Sequence, residues 1–388
     1  MPSTSFEELQ RIASESGVEK SLDFLEHHFR RDKEYFKLFE VLKMRCRQRM
    51  GLPLMYTQQP DDLDESQQRE LEDGLLSACR EVGTLFFKAG QIQEGWMYLQ
   101  PVGDKALNHK LIQSIEPDEE NIDAIIEIAV SQGGAPALGY ELLLKHYGTC
   151  NGITTFDTQA VRFERGVQRE MAQKLLHHLH AELMENVRYS IKESGNSCEA
   201  DASLDELMQA FPELTENGAH HIDTTHLSSI MRIARLLEDR QDIEIANQLA
   251  TYGRSLAEDF QYPGAPPFED TYVDHGFYFS ALLGEQVDEA IAHFEGKTQT
   301  VKPEEHGPVA DETLVDLLVR VGRNDEALRI ATERLMGNEE SMGIAPSAFE
   351  IAQTTQQFGR LMDCFRSQDD LLGFAVALLK SNQVSTKT

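Results

Sequence analysis

The feature that most constrains this chain is a glycine set between two apolar runs. Before Gly90 stand Leu85, Phe86 and Ala89, and after it Ile92, Trp96 and Leu99, each set at the three- and four-residue spacings of one helix face. A glycine there ends the first helix and lets the second return along it, so the stretch from Glu81 to Leu99 predicts a helical hairpin. Gly83 and Gly95 lie inside the two runs, where each costs about 1 kcal/mol of helix propensity. Their use is expected to be close approach of one helix to the other.

The device recurs. Gly322 separates Leu317–Val321 from a run carrying Glu326, Ala327 and Leu328, and Gly284 separates Ser280–Leu283 from Glu289, Ala290 and Ile291. Gly284 to Gly322 is 38 residues and Gly322 to Gly359 is 37, within the period range of stacked helical pairs. Gly17, ahead of Val18–Leu25, is a weaker copy. In one copy Gly83, Phe86, Gly90 and Gly95 occupy the small, aromatic, turn and small positions of a repeat; in another Gly322 and Ala327 do so, and the Gly284 copy has one extra residue before Ala290. In this respect the chain resembles the tetratricopeptide-like class of α-solenoids. The resemblance implies a right-handed superhelix of antiparallel helix pairs, whose concave wall would bind a peptide or protein partner. The reading is therefore all-α, in segments 1–157, 158–260 and 261–388 of one continuous array.

One helix is expected to be much longer than the rest. From Thr158 to Glu193, apolar residues recur every four positions as Phe163, Val167, Met171, Leu175, Leu179, Leu183, Val187 and Ile191. Such a stripe drifts about 40° per step around a helix of 3.6 residues per turn, which suits a central element touched from several sides. Ahead of it, Gly148–Asp157 reads as a polar loop with Thr155 and Asp157 as candidate caps. The stretch from Gly51 to Gln68, with Pro53, Pro60 and the acidic run Asp61–Glu65, reads as a surface loop. Ser203 and Glu206 form a capping-box pattern, Asp223 heads a helix, and Pro346 is expected in the first turn of a helix reaching Phe358.

Charge excludes some functions. Sixty-six acidic residues against 36 Lys and Arg leave a net charge of −30, the wrong sign for nucleic acid or anionic membranes. The acidity either keeps the surface solvated or selects a basic partner. No apolar run nears the ~20 residues needed to cross a bilayer. The five cysteines, at 46, 79, 150, 198 and 364, are scattered and odd in number. That fits neither a disulfide framework nor a zinc knuckle. The first ten residues lack an apolar core, so no signal peptide is expected, and a reducing cytoplasm is the expected compartment.

Eight of the 13 histidines fall between His146 and His275. On the long helix His177 and His180 are three apart, and His178 and Glu182 four apart, so either pair could begin a divalent metal site. The candidate ligands are His177, His180, His221, Asp223, His226 and His275, with His146, His220 and Asp274 as further donors. No established metal spacing such as His-Glu-x-x-His is present, and polar residues lining a solenoid groove account for the same pattern. Asp223 suits a helix cap, and Asp274–His275 beside Phe277, Tyr278 and Phe279 suits the start of a buried helix. Cys150, four residues after His146 and between Gly148 and Gly152, is a candidate nucleophile or a small residue in a turn. There is no phosphate loop, dinucleotide fingerprint or nucleophile elbow. The favoured reading is a non-enzymatic scaffold without a cofactor. The alternative is a metal-binding protein or metal-dependent enzyme built on the central histidines.

Overall fold

A computed structural model of the protein describes residues 4–55, 63–336 and 341–385. Among them every regular element is helical and no strand occurs. Two compact units form, residues 1–148 with 158–167, and residues 149–157 with 168–388.

The first unit holds α1 (Ser5–Arg31), α2 (Tyr35–Arg49), α3 (Glu65–Lys88), α4 (Ile92–Leu99), α5 (Lys105–Gln113) and α6 (Ile122–Ile126). Two helices are shared: α7 (Pro136–Gln159) begins and ends in the first unit and belongs to the second at residues 149–157, and α8 (Arg165–Glu193) begins in the first and ends in the second. The second continues with α9 (Leu204–Ala210), α10 (Thr224–Ala234), α11 (Arg240–Ser255), α12 (Thr271–Leu282), α13 (Val287–Thr300), α14 (Pro303–His306) and α15 (Val309–Arg320). It ends with α16 (Asn324–Ile330), α17 (Ala348–Thr355), α18 (Phe358–Ser367) and α19 (Leu371–Ser385). Within each unit a helix packs chiefly on its neighbours in sequence: α1 on α2, α2 on α3 and α3 on α4 in the first, and α15 to α19 in succession in the second. No helix among the described residues is long and apolar enough to cross a membrane.

The expected hairpin is α3 with α4. Gly90 takes a left-handed conformation at φ 77°, and the amide of Gln91 donates to the Phe86 carbonyl at 3.0 Å, closing the end of α3. Gly83 and Gly95 face each other across the pair. A β-carbon on Gly83 would stand 2.6 Å from Leu99 Cγ and 2.9 Å from the Gly95 carbonyl oxygen, and one on Gly95 would stand 2.3 Å from the Phe87 ring. Below the contact Phe87, Ile92, Trp96 and Leu99 join Leu111, Ile112, Ile125 and Ile128 in one buried cluster. The Trp96 indole N–H donates to the Gln132 side chain.

The same closure ends α12 at Gly284 and α15 at Gly322, where Glu285 and Arg323 donate to Ser280 and Leu318 at 2.8 Å. The third member is not Gly359, which lies inside α18. Gln356 makes that turn at φ 59°, and the Gln357 amide reaches the Ala352 carbonyl at 3.0 Å. Lys33 and Asp369 do the same after α1 and α18. A side chain in the left-handed region costs about 1–2 kcal/mol. Gln356→Gly is therefore expected to stabilise the chain by about 0.5–1 kcal/mol, after the extra freedom glycine gains when unfolded is subtracted. A urea titration of the variant beside wild type reads this, and a loss of stability would contradict it.

Other boundaries move for identifiable reasons. The long helix begins at Arg165, after a short turn at Ala160–Arg162 and an extended Phe163, so it is 29 residues long. Residues 149–159 are helical rather than a loop; α7 breaks only at Gly148, at φ 73° and ψ −177°, so Thr155 and Asp157 lie inside a helix and not at a cap. Asp157 accepts instead from Arg232 on α10 at 2.8 Å. Helix α3 starts at Glu65, capped by Asp64 and Gln67, and the rest of the predicted acidic loop, residues 56–62, lies outside the described residues. Pro346 precedes α17, whose cap is Ser347 with Glu350, and Phe358 already belongs to α18. The Ser203–Glu206 box and the Asp223 cap form as expected.

Candidate functional site

On α8 the apolar stripe is buried from Met171 to Ile191. Five of the polar side chains around it are taken up by shorter elements of the same unit. Gln173 and His177 both bond Asp242 at the start of α11, at 2.7 and 2.6 Å. Glu182 accepts from Thr149 on the last part of α7 at 2.9 Å, Asn186 donates to the His221 carbonyl, and Arg188 donates to the Ala202 carbonyl. The four-residue repeat thus supports a helix contacted on several flanks.

The six candidate ligands are engaged separately. His177 is held by Asp242, a residue outside the predicted set. His180 turns inward, its Nε2 buried without a hydrogen bond, and burial first, then the charges of His177 and Arg188, lower its pKa. The His221 amide donates to the Tyr252 hydroxyl at 2.9 Å, and burial pushes that phenol up to about 12. Asp223 caps α10, accepting from the Thr225 hydroxyl at 2.6 Å and from the Thr225 and His226 amides. His226 occupies the first turn of that helix. His275 is buried in α12, stacked 4.3 Å from Phe268, and its Nδ1–H donates to the Thr271 carbonyl at 2.6 Å. Among the described residues no group of three or more His, Cys, Asp or Glu is placed to hold a metal ion. Cys150 and His146 are both exposed, on either side of the Gly148 break.

A polar cluster that spacing did not reveal centres on Asp274, the neighbour of His275. Its carboxylate is 1% exposed and takes His293 Nε2 at 2.7 Å on one oxygen and Lys297 Nζ at 2.8 Å on the other. Lys297 also reaches Glu269 at 2.7 Å. Burial opposes the charge on Lys297, yet its bonds to the two carboxylates outweigh that and hold its pKa above the ordinary lysine value. Phe277 stacks on His293 at 4.5 Å. Nearby, Arg235 lies over the Phe268 ring at 4.4 Å, and Arg320 donates to the Tyr278 hydroxyl and to the Arg235 and Leu237 carbonyls. A buried carboxylate held by the Lys297 ammonium and the His293 ring ties α12 to α13. Its oxygens are occupied, so it is built to hold structure rather than to act as a base. Asp274 and His275 were visible in the sequence, but His293 and Lys297 lie 19 and 23 residues from Asp274 and follow no motif.

Of several surface hollows among the described residues, two roomier ones, beside Cys46 and beside Cys198, are lined by a larger share of polar surface, and a smaller, more apolar one lies between α15 and the α17–α18 hairpin. A half-open groove of about 270 Å³ is lined by Pro308, Leu335, Met336, Phe349, Leu361 and Phe365, with Glu312 among its walls. Glu312, 3% exposed, shapes the loop that forms one side: it accepts from the Ser341 hydroxyl at 2.9 Å and from the Met342 and Ile344 amides at 2.8 and 2.9 Å. No family model matches the chain, and no curated protein matches it.

Proposed function

We propose that this chain is a non-enzymatic scaffold of tetratricopeptide-like helix pairs, wound as a right-handed superhelix, that holds a basic peptide or protein segment. The observation that carries the reading is the apolar groove beside α15 in a chain of net charge −30. At about 270 Å³ the groove falls below the ~300–1,000 Å³ usual for small-molecule sites, a size suited to one or two anchoring side chains. Its lining is mostly apolar, so the anchor is apolar. The surplus of carboxylates favours Lys and Arg on either side of it. The helix pairs that follow one another from α10 to α19 support the same reading, because such successions offer continuous surface for an extended segment.

Fluorescence anisotropy with a labelled peptide carrying leucine between lysines tests this. Binding is expected to weaken about tenfold from low to high salt, through screening of the flanking charges. Met336→Arg, which sets a cation in the groove, is expected to weaken it by a further factor of about ten or more. Equal binding of an acidic peptide, or no effect of Met336→Arg, would overturn the proposal.

A further inference from the structure

Helix α19 carries an apolar face that no other described element covers. In α19 Leu371 and Leu372 are 79% and 77% exposed, Leu379 is 62% exposed, and Val376 and Leu378 are exposed beside them, while Ala377 is buried and α18 is its principal neighbour. Over the first ten residues of the helix, Leu371–Lys380, Leu378, Leu371, Ala375, Leu379, Leu372 and Val376 cover an arc of about 160° without a polar residue; Asn382 and Gln383 return to that side only in the last turn. A helix face this broad and apolar is normally buried.

We infer that this face pairs with the same face of a second copy of the chain, α19 lying antiparallel to its mate across a two-fold axis at Ala375. Charge selects this occupant. A chain of −30 repels itself wherever acidic surfaces meet, but from Leu371 to Ser385 the one ionised side chain is Lys380. The pattern is also self-complementary. With the axis at Ala375, Leu371 meets Leu379 of the other copy and Leu372 meets its Leu378. Asp370, exposed at the head of the helix, comes opposite Lys380 on both sides. Ala375 at the crossing lets the axes approach to about 8 Å. An isologous two-fold contact of this kind is the commonest way for a chain to form a dimer. The peptide groove lies on other elements, so this inference stands apart from the proposed function.

Sedimentation equilibrium of the full chain is expected to show a dimer at micromolar concentration. Leu372→Glu with Leu379→Glu, both at exposed positions, is expected to give a monomer with unchanged helical circular dichroism. Lys380→Glu, which places two acids face to face, is expected to raise the dissociation constant about threefold to tenfold. Ala375→Cys is expected to form a covalent dimer under mild oxidation that wild type does not. A monomer at every concentration, a dimer that survives the double glutamate change, or a monomer that binds neutral phospholipid vesicles through α19 would overturn the inference.

Discussion

Gly83→Ala is expected to destabilise the first unit by about 2 kcal/mol, although alanine is the better helix former. The new methyl would sit 2.6 Å from Leu99 Cγ and 2.9 Å from the Gly95 carbonyl oxygen, inside contact distance of a backbone atom that cannot move alone. Overpacking of this kind costs about 1–3 kcal/mol, more when backbone must shift, and propensity returns about 1 kcal/mol at most. Gly95→Ala meets the Phe87 ring at 2.3 Å and is expected to act in the same direction. The double change should cost less than the sum, because both methyls push the same two helices apart. Gly276→Ala and Gly296→Ala supply the control. Both sites are helical, without a left-handed backbone and with nothing within 4 Å of the new methyl, so each is expected to gain up to about 1 kcal/mol. Urea unfolding of the five variants, followed through Trp96 and by circular dichroism, reads the comparison. If Gly83→Ala and Gly276→Ala shift stability by the same amount, helix contact at Gly83 is not what selects glycine there.

Stability is expected to fall by about 2 kcal/mol between pH 7.5 and pH 5, largely through His275. Burial, and then the Arg235 guanidinium, push its pKa down to about 3, against the opposing hydrogen bond to Thr271. The folded chain thus prefers the neutral ring. A histidine whose folded pKa lies below its unfolded value of about 6.5 contributes stability in full above that value, and the contribution is lost as pH falls from about 6.5 toward the folded pKa. At pH 5 the loss is about 1.5 pH units at 1.36 kcal/mol each. His180 and His221, both lowered first by burial, add in the same direction. His275→Gln removes the largest contributor, so its stability should vary much less with pH than that of wild type. Parallel slopes for the two chains would contradict the assignment.

The histidine pattern shows how far sequence spacing reaches. His177 and His180 share a helix by arithmetic, but which partner each meets depends on how α11 and the chain before α10 pass α8. There Asp242 takes His177, and Tyr252 takes the His221 amide. Asp223 was readable as a cap because its partners, Thr225 and His226, are two and three residues away. The Asp274 cluster was not readable, since its members on α12 and α13 meet only after that hairpin has closed. Gly359 misled for a related reason: a glycine permits a turn, but the turn formed three residues earlier at Gln356, where packing of α17 against α18 outweighed the cost of a left-handed side chain.

Local physics written in the chain was sufficient for the helices themselves, the hairpin at Gly90, the close approach at Gly83 and Gly95, the Ser203 and Asp223 caps and the stripe of α8. Each depends on residues a few positions apart, where backbone geometry alone sets the distance. Tertiary packing decided the rest: which side chains surround Asp274, where the groove beside Glu312 opens, and that α19 keeps its apolar face uncovered. Those depend on residues tens of positions apart, whose separation is set by how whole helices settle against one another.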